Sequence, residues 1–181
     1  DLVLHSVSEQ VLRRAPAPVL AVGPRTVIVP PPRLDAIVCC IGADVALARR
    51  LLPVVVEWSR HLGCDPALLR IAAPGAGPPS DASADRATSE VLRLTRELWA
   101  QGVKATWEAV SDTDPVAGIV RYVSDLRGAV VVMASHGRTG LRRLALGSVT
   151  LAVLAHSPHP VLVVPGTPTS PDSRPHPVPP G

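Results

Sequence analysis

The sequence predicts an α/β protein built on a buried parallel sheet, and three observations lead there. Short apolar runs alternate with longer segments of helical spacing from Ala36 to Val164, which gives five strands interleaved with helices. One of these runs, Val130-Val131-Val132-Met133, is apolar throughout, as a strand covered on both faces requires. Phenylalanine is absent and aromatic residues make up only 2% of the chain, so Val, Leu and Ala must fill the core.

A chain of 181 residues is long enough for one well-buried core with additional pieces. Its net charge of +3 is small and scattered, without the basic stripe that nucleic acid would need. No apolar run approaches the roughly 20 residues that span a bilayer, so a membrane is not expected as a partner. The opening DLVLHSV lacks the basic-then-apolar layout of a signal peptide. Cys39, Cys40 and Cys64 show no metal-binding spacing, and an odd count without a secretion signal fits a reducing cytoplasm. The first residue is Asp1 and not methionine, which reads as a piece of a longer or processed chain.

Taken in order, residues 36–41 form the first buried strand. Gly42-Ala43-Asp44 turns it into a helix from about Val45, with Asp44 as N-cap and Val45, Ala48, Leu51 and Leu52 on one face. Pro53 lies inside that pattern and is expected to kink the helix or end its first part. Residues 68–72 are a second strand, and 74–83 a Gly/Pro/Ala/Ser loop. From 84 to 101 the set Ala87, Val91, Leu94 and Leu98 has helical spacing. Residues 103–110 then alternate, with Val103, Ala105, Trp107 and Ala109 facing one way, as in a half-exposed strand at a sheet edge. Trp107 there reads as packing in preference to ligand stacking. Asp114-Pro115 opens the next helix with a cap and a first-turn proline; Val116, Ile119, Val120 and Val123 form its buried face and Gly128 ends it.

The fourth strand ends in Ser135, His136, Gly137, Arg138, Thr139 and Gly140, and Gly147-Ser148-Val149-Thr150 then opens another helical pattern. Ser148 suits an N-cap, and Gly147 lets a turn or a ligand approach the backbone. A strand tip facing a helix start concentrates free N–H groups and positive dipole, which favours anions and phosphate in particular. The last strand is 161–164. His136 has no evident carboxylate or nucleophile partner, so no catalytic residue is assigned. His156 and His159, split by Pro158 in a corner, read as surface residues, and no zinc or other metal site is expected.

The spacing of Gly137, nine residues, Gly147 and then Ser148 resembles the nucleotide-binding signature of the universal stress protein family, which is Gly, two residues, Gly, nine residues, Gly, then Ser or Thr. The first position departs from it: Ala134 stands where the pattern has Gly, and its methyl narrows the approach to that backbone. A second departure concerns the end of the first strand, where the family usually carries an Asp that contacts adenine or ribose. Aligning strand ends puts Gly42 there, which argues against ordinary ATP binding; Asp44 lies two residues on, with capping as its expected work.

The resemblance, together with right-handed crossovers, implies a doubly wound five-stranded parallel sheet in order 3-2-1-4-5, Rossmann-like and of the adenine nucleotide alpha hydrolase type. Ligands in such sheets sit beyond the carboxyl ends of the strands at the switch point. The implied nucleotide-binding residues are Ile41, Gly42, Ile71, Met133, Ala134, His136, Gly137, Gly147, Ser148, Val149 and Thr150, with Ile71 or Ala72 flanking the base. Arg138, Arg142 and Arg143 either add charge near phosphate or form a solvated basic loop. The implied function is binding of ATP or another adenine nucleotide as a stress-response or signalling module. Magnesium is a lesser expectation and any hydrolysis is expected to be slow. The alternative is an interaction module that has lost nucleotide binding and acts through dimerisation.

An internal repeat extends the resemblance. Residues 6–22 align without a gap on residues 148–164, sharing Ser-Val at the start and Pro-x-Pro-Val-Leu at the corner, an offset of 142 positions. Residues 1–23 therefore look like the last helix and strand of a preceding universal stress protein domain, with His5 where the complete copy has Gly147. Residues 24–35 are then a linker, 36–165 the domain itself and 166–181 a disordered tail. Family members pair through their last strand, so residues 19–22 are expected antiparallel to 161–164. This is an intrachain pseudo-dimer in place of, or alongside, a homodimer.

Overall fold

The computed structural model describes residues 7–27, 34–42, 44–72, 82–135 and 147–165. Along them run α1 (Val7–Arg14), β1 (Val19–Ala21), β2 (Ala36–Cys40), α2 (Val45–Leu62), β3 (Pro66–Ala72) and α3 (Ala82–Ala100). β4 (Thr106–Ser111), α4 (Pro115–Ser124), β5 (Ala129–Ala134), α5 (Ser148–His156) and β6 (Val161–Val164) follow. The strands form one sheet in the order β1-β6-β5-β2-β3-β4. From β2 onward the five strands are parallel and take the expected order 3-2-1-4-5. The sheet nevertheless has six strands: β1 adds to the outer edge of β6, antiparallel, with Val19 opposite Val163 and Ala21 opposite Val161.

Strand alternation assigns the two faces. Ile37 and Cys39 of β2 with Val130 and Val132 of β5 pack under α2 and α3, while Val38, Val131 and Met133 pack under α4 and α5. β5 is therefore buried on both sides, which is why its sequence shows no polar alternation. The outermost β4 carries its half-buried residues at Trp107 and Val110, three apart and on opposite faces, and Ala109 is exposed. The single apolar stripe expected from 103 to 109 is thus split: Val103 and Ala105 are buried ahead of the strand.

The helices follow their end signals with three adjustments. Asp44 caps α2, its Oδ1 accepting the Leu47 N–H at 3.1 Å, and Gly63 closes it at φ 67°. α2 runs on through Pro53. The exposed proline removes one helix bond at a cost of about 3 kcal/mol, but Leu51, Leu52, Val55 and Val56 beside it are buried. At roughly 1.5–3 kcal/mol for each such side chain, burial decides the matter. α4 ends at Ser124, well before Gly128, with Asp125 as its cap. In α5 the cap is Gly147, and Ser148 is the first helical residue and not the cap.

His159 is buried, contrary to the surface position expected for both corner histidines. Its Nε2–H donates to the Val123 carbonyl at 2.9 Å and the Leu126 carbonyl at 3.1 Å, tying the end of α4 to the corner before β6. His156 is exposed and donates from Nδ1 to the Ala152 carbonyl at 2.8 Å.

The N-terminal piece is built into the domain. Leu12 of α1 is buried with Val153, Leu154, Val161 and Val163. The Val27 N–H donates to the Pro158 carbonyl at 2.9 Å. Gly23 passes so close to α5 that a Cβ there would lie 1.9 Å from the Leu154 carbonyl oxygen. Among the described residues, no helix is long and apolar enough to cross a membrane.

Two outcomes are expected. Deleting residues 1–23 uncovers the β6 edge, so sedimentation velocity should show self-association; a monomer unchanged from the full chain would contradict this role for β1. Gly23→Ala forces a carbon onto α5 backbone that cannot move aside, and urea unfolding should register a loss of about 1–3 kcal/mol. An unaltered midpoint would show that the close approach does not hold.

Candidate functional site

Helix α2 leaves β2 for one face of the sheet and α5 leaves β5 for the other, although β2 and β5 are hydrogen-bonded neighbours. Their carboxyl ends therefore stand under a gap that neither helix fills. A cavity of about 160 Å³ lies there, walled by the carboxyl-terminal parts of β2, β3 and β5, by the first two turns of α2 and by the starts of α4 and α5.

Of the residues expected at the site, Ile41, Gly42, Ile71, Met133, Ala134, Val149 and Thr150 line this cavity. Gly147 and Ser148 immediately precede the lining pair of α5 and are not themselves among the lining residues. His136 and Gly137 lie outside the described residues, as do Arg138, Arg142, Arg143 and the tail. Sequence reasoning missed Cys40, Leu47, Ala48, Leu51, Leu69, Pro115 and Ile119, which are also in the wall. Each looks like an ordinary core or cap residue in the sequence; the available signal was a place in the carboxyl-terminal half of a strand or the amino-terminal half of a helix.

Local bonds hold the two halves of the site together. The Thr150 hydroxyl, buried, donates to the Ala134 carbonyl at 3.2 Å, clipping the start of α5 to the tip of β5. Ser135 continues the sheet, its N–H donating to the Val164 carbonyl at 2.8 Å. At the β2 tip the Gly42 carbonyl accepts Arg70 Nη1 at 3.3 Å, which brings a cation to the neighbourhood of the cavity. A Cβ on Gly42 would meet nothing within 4 Å, so the backbone has room for a side chain that the sequence does not supply. Helix geometry leaves the amides of residues 148–150 without intrahelical acceptors, and the dipole of α5 adds to them.

The lining is mostly apolar, and its few polar groups are already engaged. Thr150 is bonded as above, and Asp44 caps α2. Burial pushes the Cys40 thiol up to about 12, so it remains a neutral wall group and not a thiolate. Among the described residues, no three His, Cys, Asp or Glu side chains converge as a metal site would need.

The α4 wall is fixed through Asp112. The Asp112 N–H donates to the Ala72 carbonyl at 2.9 Å, and its Oδ1 accepts the Asp114 N–H at 3.0 Å. Its Oδ2 meets Arg121 Nη2 at 2.8 Å. The Asp114 amide, followed by the Arg121 guanidinium, holds the Asp112 carboxyl below its ordinary value. Asp114 in turn caps α4 through the Val116 N–H at 2.8 Å. This corner sets where Pro115 and Ile119 enter the cavity wall.

Residues 37–165 match the sequence profile of the Universal stress protein family. A curated relative, a universal stress protein of Methanocaldococcus jannaschii, is 34% identical over 80 residues, 44% of this chain and 49% of the relative. The match thus spans about half of that relative's length. A universal stress protein from Archaeoglobus fulgidus, solved in complex with dAMP, superposes with a TM-score of 0.55 at 19% identity, over 70% of this chain and 96% of the other. A second, from Archaeoglobus fulgidus DSM 4304, reaches a TM-score of 0.62 at 23% identity, over 90% of this chain but only 54% of the other.

Because the Asp112 pKa is lowered by folding, its ionised form stabilises the protein above its unfolded-state pKa, and that contribution is lost as pH falls through the folded value. Asp112→Asn should lower the urea midpoint at neutral pH, and the gap to wild type should shrink as pH drops below about 3.9. A gap independent of pH would rule out the charge as its cause.

Proposed function

The chain belongs to the universal stress protein family, and from this we propose that its cavity takes the adenine ring of ATP or another adenine nucleotide. The carrying observation is the apolar cavity at the β2–β5 switch point, bounded on one side by the amide-rich start of α5. The dAMP complex of the Archaeoglobus fulgidus relative supports an adenine ligand for this fold. The ring would sit against Ile71 and Met133, and the sugar and phosphates would extend past Val149 and Thr150 toward the amides at 148–150.

The module would hold its nucleotide as a signal of state without turning it over quickly. Asp44 is the one carboxylate in the described lining, and it is engaged as a helix cap. A magnesium ion arriving with ATP would thus be carried by phosphate and water and not by a described set of carboxylates.

A second reading is favoured by Gly42, which offers no side chain to the ribose, and by β1 on the edge of β6. In it the chain is an interaction module without a nucleotide, and residues 1–23 are the end of a preceding domain that forms half of an intrachain pseudo-dimer. The matching layouts of α1–β1 and α5–β6 support this origin, as does the wider coverage of this chain by the longer Archaeoglobus fulgidus protein.

Titration calorimetry with ATP and AMP, on wild type and on Gly147→Trp, separates the two. Saturable heat that the indole at the α5 cap abolishes is the outcome expected of the nucleotide reading. No heat with either nucleotide at millimolar concentration would leave the interaction module.

A further inference from the structure

Gly118 of α4 lies against Ile71, a residue of β3 in the cavity wall. A Cβ on it would lie 3.1 Å from Ile71 Cδ1, 3.2 Å from Ile71 Cγ2 and 3.1 Å from Asp112 Cβ. Backbone conformation does not demand glycine at this point. Gly118 is an ordinary helical residue, its N–H donating to the Asp114 carbonyl at 3.0 Å. Glycine inside a helix is less favourable than alanine, so what it contributes is room.

The two neighbours would not share the crowding of an added methyl equally. Asp112 is pinned by its own N–H to Ala72, by the Asp114 amide and by Arg121. Ile71 is pinned only by packing: Cδ1 is the free end of a rotatable chain, and the residue borders the unfilled cavity. A carbon at position 118 therefore displaces Ile71 into the space beside it.

We infer that Gly118 is a positioning residue for the cavity: by leaving out a Cβ it lets Ile71 stand back and sets the width of the slot open to a flat ring. As to which ligand enters, the inference rests on the nucleotide reading above; as to the shape of the slot, it does not.

The test uses the full chain with AMP as probe. Gly118→Ala should bind AMP about tenfold more weakly, the effect of one methylene too many in an apolar pocket. Its thermal midpoint should stay level, because the better helix propensity of alanine offsets the crowding. Adding Ile71→Val, which deletes Cδ1, should restore most of the affinity. Unchanged affinity in Gly118→Ala overturns the inference, and so does a loss that Ile71→Val does not relieve. If wild type takes up no AMP, the nucleotide reading falls, and crystal structures of wild type and Gly118→Ala decide this one. Ile71 displaced into a smaller cavity supports it, and Ile71 in its original place overturns it.

Discussion

The pairing of β2 with β5 is the constraint on which the rest depends. Both strands run the same way, and each must hand the chain to a helix on a different face of the sheet. The chain leaves β2 toward β3 and β5 toward β6, in opposite directions across the sheet, so right-handed crossovers put α2 and α5 on opposite faces and the two strand ends share an opening. The cavity is the direct result. Residues from six elements border it although none of them is near all the others in sequence.

The site is assembled from parts that already have structural duties. Thr150 joins a helix to a strand, Asp44 begins α2, and Asp112 anchors the corner before α4. A ligand would thus meet apolar side chains and backbone amides more than uncommitted charged groups. The β6 edge is handled by the same economy: β1 supplies backbone partners to a strand that would otherwise offer its own to another chain.

Much of this was legible before any coordinates. The strands from β2 onward, their order, Asp44 and Asp114 as caps and the antiparallel place of β1 all follow from apolar periodicity, helix-end chemistry, the internal repeat and the family resemblance. Seven of the eleven residues expected at the site line the cavity, and two more adjoin it at the start of α5. The errors have a common origin. Pro53, His159 and the stripe from Val103 to Ala109 were each read through local rules. In the fold, burial of Leu51 and Val55 outweighs the proline, the carbonyls at the end of α4 draw His159 inward, and an edge strand divides its packing between two helix layers.

The sequence by itself determined the alternation of strands and helices, the ends of most of them and the point where the chain reverses across the sheet. These depend on neighbours within a few residues, or on a pattern repeated along the chain. Tertiary structure alone decided the cavity's width, the burial of His159, the contact of Gly23 with α5 and the distance from Gly118 to Ile71. Each of those is a separation between atoms far apart in the chain, set by how closely two packed elements can approach, and no periodicity in the sequence encodes a distance of that kind.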